Sequence, residues 1–324
     1  MEGDLGQFAL ALSGGLKEQT WQGRLTQLEA KKTEFGDWNL AQPVALKGSA
    51  EQAGAEPFCL VSPPTRLCAQ GEWSAKTGAK GEVQLENLEP ARFAALIPED
   101  ITIETQVNGK INGAMQANGE LQGQADIQIA PGRVQLSTNG NPVEITLGGG
   151  ALQAQAKGNN ATAQFNFDLG QLGQIASDLK LNELTGKPRI GGNLNAEIND
   201  FSLVSTFVPE LQEVTGRLTA DVALSGPVTA PQFKGAVQVD NAGVDVPLVA
   251  TQIRKINLTA QADEQGRLQL SGSASSGPGQ LELTGKIDLA QSEFDVTVKG
   301  ENFKPRTHRK SNPAESRHQC LGNT

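Results

Sequence analysis

The sequence has no tyrosine, and its aromatic content stops at eleven phenylalanines and three tryptophans in 324 residues. Aromatic rings supply much of the buried area of compact cores, so a compact enzyme with a Trp- or Tyr-lined pocket is disfavoured. Only two histidines occur, His308 and His318, both near the C-terminus, which leaves the body of the chain without an imidazole base. Charged residues make up 19% of the chain with a net charge of −9, so the basic footprint of a nucleic-acid partner is missing. Long apolar runs are missing too. The longest, Phe93–Ile97, is five residues, against the roughly 18 that a spanning helix needs. Residues 1–5 have neither the basic nor the apolar region of a signal peptide, and the chain reads as an internal fragment.

What is present is glycine (37) and glutamine (29) in a chain that is only 37% hydrophobic. Of three cysteines, Cys59 and Cys68 flank the turn-rich Ser62-Pro63-Pro64-Thr65. A disulfide closing that loop would imply an oxidising compartment; two unpaired buried thiols are the alternative. Zinc is disfavoured, because the next Cys or His lies hundreds of residues away.

The dominant signal is a period of two. From residue 101 to 129 the odd positions read Ile101, Ile103, Val107, Ile111, Met115, Leu121, Ile127 and Ile129, interspersed with Thr, Ala and Gly. The even positions are polar except Ala114. This is the pleat of a strand with one dry and one wet face, and no helix could place these side chains on one side. The alternation returns, phase-shifted at turns, at Val143, Ile145 and Leu147, at Phe165 and Phe167, and at Leu218, Val222 and Leu224. It returns again at Val237 and Val239 and beyond. Turn signals such as Asn108-Gly109 and Ser276-Gly277-Pro278-Gly279 separate the runs. A single strand over 101–129 would be far longer than the usual five or six residues, so it must be broken by odd loops or bent at its glycines.

The expected fold is all-β: an extended, curled, one-sided sheet forming a groove or open solenoid, with a few short helical connectors. Two connectors look alike, Asn87–Glu99 and Asn199–Glu210, each with Phe and Leu on one side and ending in Pro-Glu. The two Pro-Glu pairs lie 111 residues apart (209 − 98), compatible with large β-repeats; Gly170–Leu184 resembles a third, degenerate copy. The organisation suggested is a β-segment over 1–86 holding the Cys59/Cys68 loop, groove segments over 87–198 and 199–303, and a tail over 304–324.

Catalytic candidates are scarce. Asp240, Asp245, Glu99 and Asp100 are most simply solvated charges, and Gly148-Gly149-Gly150 and Gly191-Gly192 precede strands where a phosphate loop would need a helix. No catalytic, metal or cofactor site is expected. The candidate site is the apolar face itself, carried by the Ile, Val, Leu, Met and Phe residues named above. Contiguous apolar surface marks a binding site, and an aliphatic lining with few aromatics suits flexible acyl chains or an apolar polypeptide strand.

The segment Leu224–Gly243, with Pro231-Gln232-Phe233-Lys234-Gly235 opening a strand, resembles the AsmA-like, TamB-type family. Ile256-Asn257-Leu258, Gly266-Arg267-Leu268, Gly285–Leu289 and Trp38–Val44 continue the likeness, which covers roughly residues 1–303. The resemblance implies a periplasmic protein, anchored in the inner membrane, whose sheet curls into a long apolar groove. It implies work with the outer-membrane barrel TamA in assembling barrel proteins and autotransporters, and in moving phospholipids between membranes. Nascent outer-membrane proteins and phospholipids would be partners; nucleic acid would not. The family's N-terminal anchor and C-terminal domain have no counterpart here. From Lys304 the alternation stops, and the tail carries net +4 against −13 for the remainder. A closed, adhesin-type β-helix is the rival architecture, though coils of about 20 residues are not visible. A membrane β-barrel would need aromatic girdles, hard to build with Trp21, Trp38 and Trp73 all in the first quarter.

Overall fold

A computed structural model describes residues 6–98, 101–138, 141–201, 204–208, 210–263, 267–288 and 293–302. Among them, antiparallel strands dominate. Nineteen strands form one sheet, and three more form a small second sheet. Most strands pair with their sequence neighbours, as hairpin-forming turns dictate, so the sheet grows by meander from Gln7–Lys17 to Glu293–Glu301. The sheet runs unbroken across positions 86 and 198: Gly78–Leu88 pairs with Val107–Met115, and Arg189–Ile198 pairs with Gln212–Pro227. Residues 304–324, with Cys320 and both histidines, lie outside the described residues.

Direct cross-strand partners share a face, and the pairings carry the apolar side chains from strand to strand in rows. One row runs Val107, Ile129, Gly150, Phe167, Ile175, Ala196, Ala220, Val237 and Ala260. The next runs Ile198, Leu218, Val239 and Leu258. The opposite face holds the glutamines and ion pairs such as Lys80–Glu72 (2.9 Å) and Lys110–Glu82 (3.1 Å). One side is thus conceded to water, and among the described residues the small three-stranded sheet is the only one that faces the other. The buried apolar side chains among the described residues are only Val44, Leu136, Leu147 and Ala242.

Two devices curl the sheet. One is bulges stacked on neighbouring strands: Glu213, Asn241 and Lys255 all have positive φ (49°, 47° and 53°) where the register slips. An added residue bends its strand and increases the twist. The carboxamide of Asn257 accepts the Asn241 N–H at 3.0 Å, and Asn108 does the same for the bulged Asn87 at 2.9 Å. Beside the stacked bulges, Arg254 pairs with Asp245 at 2.5 Å. Burial opposes the Asp245 charge, but hydrogen bonds from Gln252 and Arg254 and the guanidinium charge outweigh it and hold the pKa below the usual carboxylate value. A depressed carboxylate pKa stabilises the fold above the unfolded-chain value of about 3.9 and ceases to as pH falls through the folded value. Asp245→Asn is therefore expected to lower the urea midpoint at neutral pH and to match the parent in acid. Equal midpoints at neutral pH would refute this.

The second device is a fold in the long alternating run. Val107–Met115 and Leu121–Ile129 are joined by a five-residue turn, 116–120, an odd loop that preserves parity. Upstream, Ile101–Glu104 belongs to the second sheet, with Gly132–Thr138 and Asn141–Leu147. These three strands are chain continuations of Val107–Met115, Leu121–Ile129 and Gly149–Lys157, in the same lateral order. The small sheet is therefore a flap: three adjacent strands of the large sheet turned through a corner at Thr105-Gln106, Ala130-Pro131 and Gly148. Pro131 has no N–H to continue the ladder. At Gly148 an added Cβ would lie 2.1 Å from the Asp168 carboxylate.

The connectors are short. Residues 90–96 form 3₁₀ turns, and Val204–Phe207 is a single helical turn; Glu99 and Pro209 of the two Pro-Glu pairs lie outside the described residues. The third copy, expected over Gly170–Leu184, is helical only at Gly170–Leu172. From Gly173 to Asn182 it is a strand, because Ile175, Leu179 and Leu181 restore the period of two.

Cys59 and Cys68 are direct partners in adjacent strands, their Cα atoms 4.0 Å apart, and a disulfide joins them. Both lie on the face opposite Leu60 and Leu67, with Arg66 Nη2 and Nε each 3.2 Å from a sulfur. Closing so short a loop contributes about 2–3 kcal/mol in the chain-entropy account. Reduction is expected to lower urea stability by that amount, and an unchanged midpoint would assign the bridge no such role.

Candidate apolar binding face and chamber

On the flap, Ile101, Ile103, Val134, Leu136, Val143, Ile145 and Leu147 share one face through direct pairing. The other face carries Arg133, bonded to Glu104 at 2.5 Å, and Gln135, bonded to Glu144 at 3.2 Å. The alternating pattern that divides the large sheet into wet and dry sides therefore also sets the flap. Because the flap turns through the corner, its dry side and the dry side of the large sheet line one cavity of about 700 Å³. Ile103, Val134, Ile145 and Leu147 come from the flap; Val107, Ile129, Phe167 and Ile198 come from the large sheet.

Three of the four short connectors meet this cavity; the fourth, Pro247–Val249, does not. Pro90, Leu172 and Val204, with Phe201 just upstream, complete its wall. The connector at 90–96 packs on strand Ile101–Glu104, the one at 170–172 on Asn141–Leu147, and Val204–Phe207 bridges Gly132–Thr138 and the long strand Gln212–Pro227. At Gly216 a Cβ would lie 2.6 Å from the Ala242 Cβ on the neighbouring strand and 3.0 Å from the Phe201 ring. The first connector is also tied to the disulfide hairpin: Arg92 donates to Ser62 Oγ (2.7 Å) and to the Pro63 carbonyl, and Phe93 lies 5.4 Å from Phe35.

Of the residues expected to line an apolar site, Ile103, Val107, Ile129, Ile145, Leu147 and Phe167 meet in this cavity. Ile101 and Val143 sit on the same face of the flap, each opposite Leu136. Phe165 stacks beside Phe167, with ring centroids 6.2 Å apart. Ile127, Leu218, Val222, Leu224, Val237 and Val239 lie in the rows of the large sheet. Ile111, Met115 and Leu121 lie on the same face but are 50%, 52% and 42% exposed, Ile111 at mid-strand and the other two at the strand ends away from the corner. Leu169 continues the alternating run of Phe165 and Phe167, while Val134, Ile198, Leu172, Phe201 and Val204 were not anticipated. Val134 escapes an odd-position reading because the corner at Ala130-Pro131 shifts the phase by one residue. The Phe and Leu of the connectors were visible signals, but nothing in their spacing says that they converge.

The arrangement defines a class: a curled, one-sided antiparallel sheet whose dry face is open along the rows and faced by one flap. Residues 1–239 match the family model for the TamB N-terminal domain, and the chain belongs to that family. It is similar to the translocation and assembly module subunit TamB of Haemophilus influenzae, at 20% identity over 301 residues. That alignment covers 88% of this chain and 22% of the relative, so the chain spans about a fifth of its length. No solved structure matches. Among the described residues, no helix is long and apolar enough to cross a membrane.

Proposed function

We propose that this chain is a non-catalytic section of an outer-membrane biogenesis protein, and that its uncovered dry face is a track for apolar cargo crossing the periplasm. In the whole protein, anchored in the inner membrane, the track carries phospholipid acyl chains, assists barrel proteins and autotransporters, or does both, with a TamA-type outer-membrane barrel as partner. The observation that supports this most is the unroofed face: rows of Ile, Val, Leu and Ala continue through successive strands, with only four apolar side chains buried among the described residues. A closed β-helix would have sealed those rows.

The test is photocrosslinking in the full-length protein from Leu194 and Val222, cross-strand partners on the dry face, with Gln153 and Gln164 of the wet face as controls. Label from acyl chains on the dry face alone is the expected result. Equal labelling of both faces, or none, defeats the proposal.

A further inference from the structure

The disulfide hairpin and the flap are joined by a short series of contacts, and the covalent bond at one end of it faces solvent. We propose that the Cys59–Cys68 bridge is a redox-controlled latch. Intact, it holds the connector at 90–96 and, through it, the flap; reduced, it lets both loosen. The proposal is independent of what the dry face carries.

The bridge sits where the hairpin is otherwise least supported. The register slips between Ala55 and Phe58, and Pro57 inside the slip has no N–H for the ladder. Beyond the slip, residues 58–62 pair with 65–69 on one side. On the other side only Leu60 and Val61 meet the three-residue strand Trp38–Leu40, and the Ala41 N–H reaches the Cys59 carbonyl at 2.8 Å. The disulfide is the covalent tie across this end of the hairpin.

The tip of that end grips the first connector. Ser62 Oγ accepts from Arg92 Nη1 at 2.7 Å, and the Pro63 carbonyl accepts from Nη2. Thr65, wholly buried, donates its hydroxyl to the Asn87 carbonyl at 3.0 Å. Both ends of the segment 87–92 are thus fixed to one four-residue turn. The connector in turn packs on Ile101–Glu104, whose first N–H donates to the Pro98 carbonyl at 2.9 Å. Among the described residues that strand pairs only with Gly132–Thr138, so the connector is its second support. A looser hairpin tip therefore reaches the flap in two steps.

The bridge is also placed for exchange. Cys68 lies on the wet face in a row with Gln84 and Lys110, and neither cysteine is buried. Arg66 sets Nε 3.2 Å from one sulfur and Nη2 3.2 Å from the other. A thiolate of an external dithiol attacks one sulfur, the S–S bond breaks, and the second cysteine leaves as a thiolate beside that guanidinium. The dithiol's other thiolate then attacks the mixed disulfide and frees the first cysteine. Two electrons pass to the bridge, the dithiol becomes a disulfide, and its protons reach the new thiolates through water. A cation beside the leaving sulfur favours its thiolate and speeds the step.

Hydrogen exchange of the full-length protein, with and without dithiothreitol, tests the latch. Reduction is expected to lower protection in Ile101–Glu104 at least about tenfold more than in the remote strand Leu268–Ser276, as a local opening requires. Arg92→Gln, with the bridge intact, should give the same loss in Ile101–Glu104 while the strands around Cys59 and Cys68 keep their protection. Cys59→Ser combined with Cys68→Ser should match the reduced protein and no longer respond to dithiothreitol. Loss confined to 52–74, or equal loss in every strand, would make the bridge a brace for its hairpin or for the whole fold and overturn the latch. A bridge that resists dithiothreitol in the folded protein, or an Arg92→Gln variant with a fully protected flap strand, overturns it as well.

Discussion

Ile111→Glu is expected to cut acyl-chain transfer by the full-length protein at least tenfold while leaving the fold intact. Ile111 is half exposed in the row Val83, Ile111, Ala125, Ala154, Ala163 and Leu179. None of the described residues covers it, so a carboxylate there remains hydrated in the free protein, and stability should change by no more than about 1 kcal/mol. A hydrocarbon chain passing over it must strip that water. Removing a charge from water without a partner costs several kcal/mol, and each 1.4 kcal/mol is tenfold. Arginine at the same position, and either charge at Leu121 or Ile127, should act the same way. Ile127 is more enclosed, between Gly109 and Leu152, and should cost more stability. The measurement pairs lipid transfer with a proteolysis midpoint. Equal loss of transfer and of folded protein would mean that the row is a sealed core, and normal transfer would remove it from the track.

Gly192→Val should do the opposite and damage the fold itself. Gly192 has φ +142°, and a Cβ there would lie 1.9 Å from the Asp178 carbonyl oxygen in the neighbouring strand. Backbone cannot yield as a flexible side chain does, so strands Gly173–Asn182 and Arg189–Ile198 must separate around Leu179–Gly192. Gly173 and Gly235 sit under the same constraint, at 1.8 and 2.0 Å from carbonyl oxygens across their own strand pairs. Strain at a position essentially reserved for glycine costs about 1–3 kcal/mol before any steric term. A β-branched side chain adds the clash, and a loss above about 3 kcal/mol is expected in urea unfolding, with hydrogen-exchange protection falling first in these two strands. A loss under 1 kcal/mol would show that the pair relaxes freely.

Both effects trace to features of different legibility. Ile111 was marked by position in an alternating run, because a period of two leaves only one arrangement that keeps apolar and polar groups apart. Gly192 was visible as one of two glycines before a strand, but its positive φ and close approach were not, since they depend on the neighbouring strand. The cavity shows the same division. Ile103, Val107, Ile129, Ile145, Leu147 and Phe167 stood out by alternation. Val134 was hidden by a one-residue phase change at Pro131, and Phe201 and Val204 by the irregularity of their connector.

The sequence by itself determined the class of structure and the face that meets apolar matter. Alternation is a local property: it fixes which side of every strand is dry whatever the partner, whereas turn residues mark strand ends only in part, since Ser276-Gly277-Pro278-Gly279 joins two strands but Asn108-Gly109 lies inside Val107–Met115. Only the tertiary structure decided that the dry face stays open along most of its length, that stacked bulges curl it, and that three strands turn a corner to face it across one cavity. Those outcomes depend on which strands become neighbours and whether their bulges and corners align. Alignment between residues as far apart as Pro90, Ile145 and Val204 is set by the accumulated register of the whole sheet, which no local pattern encodes.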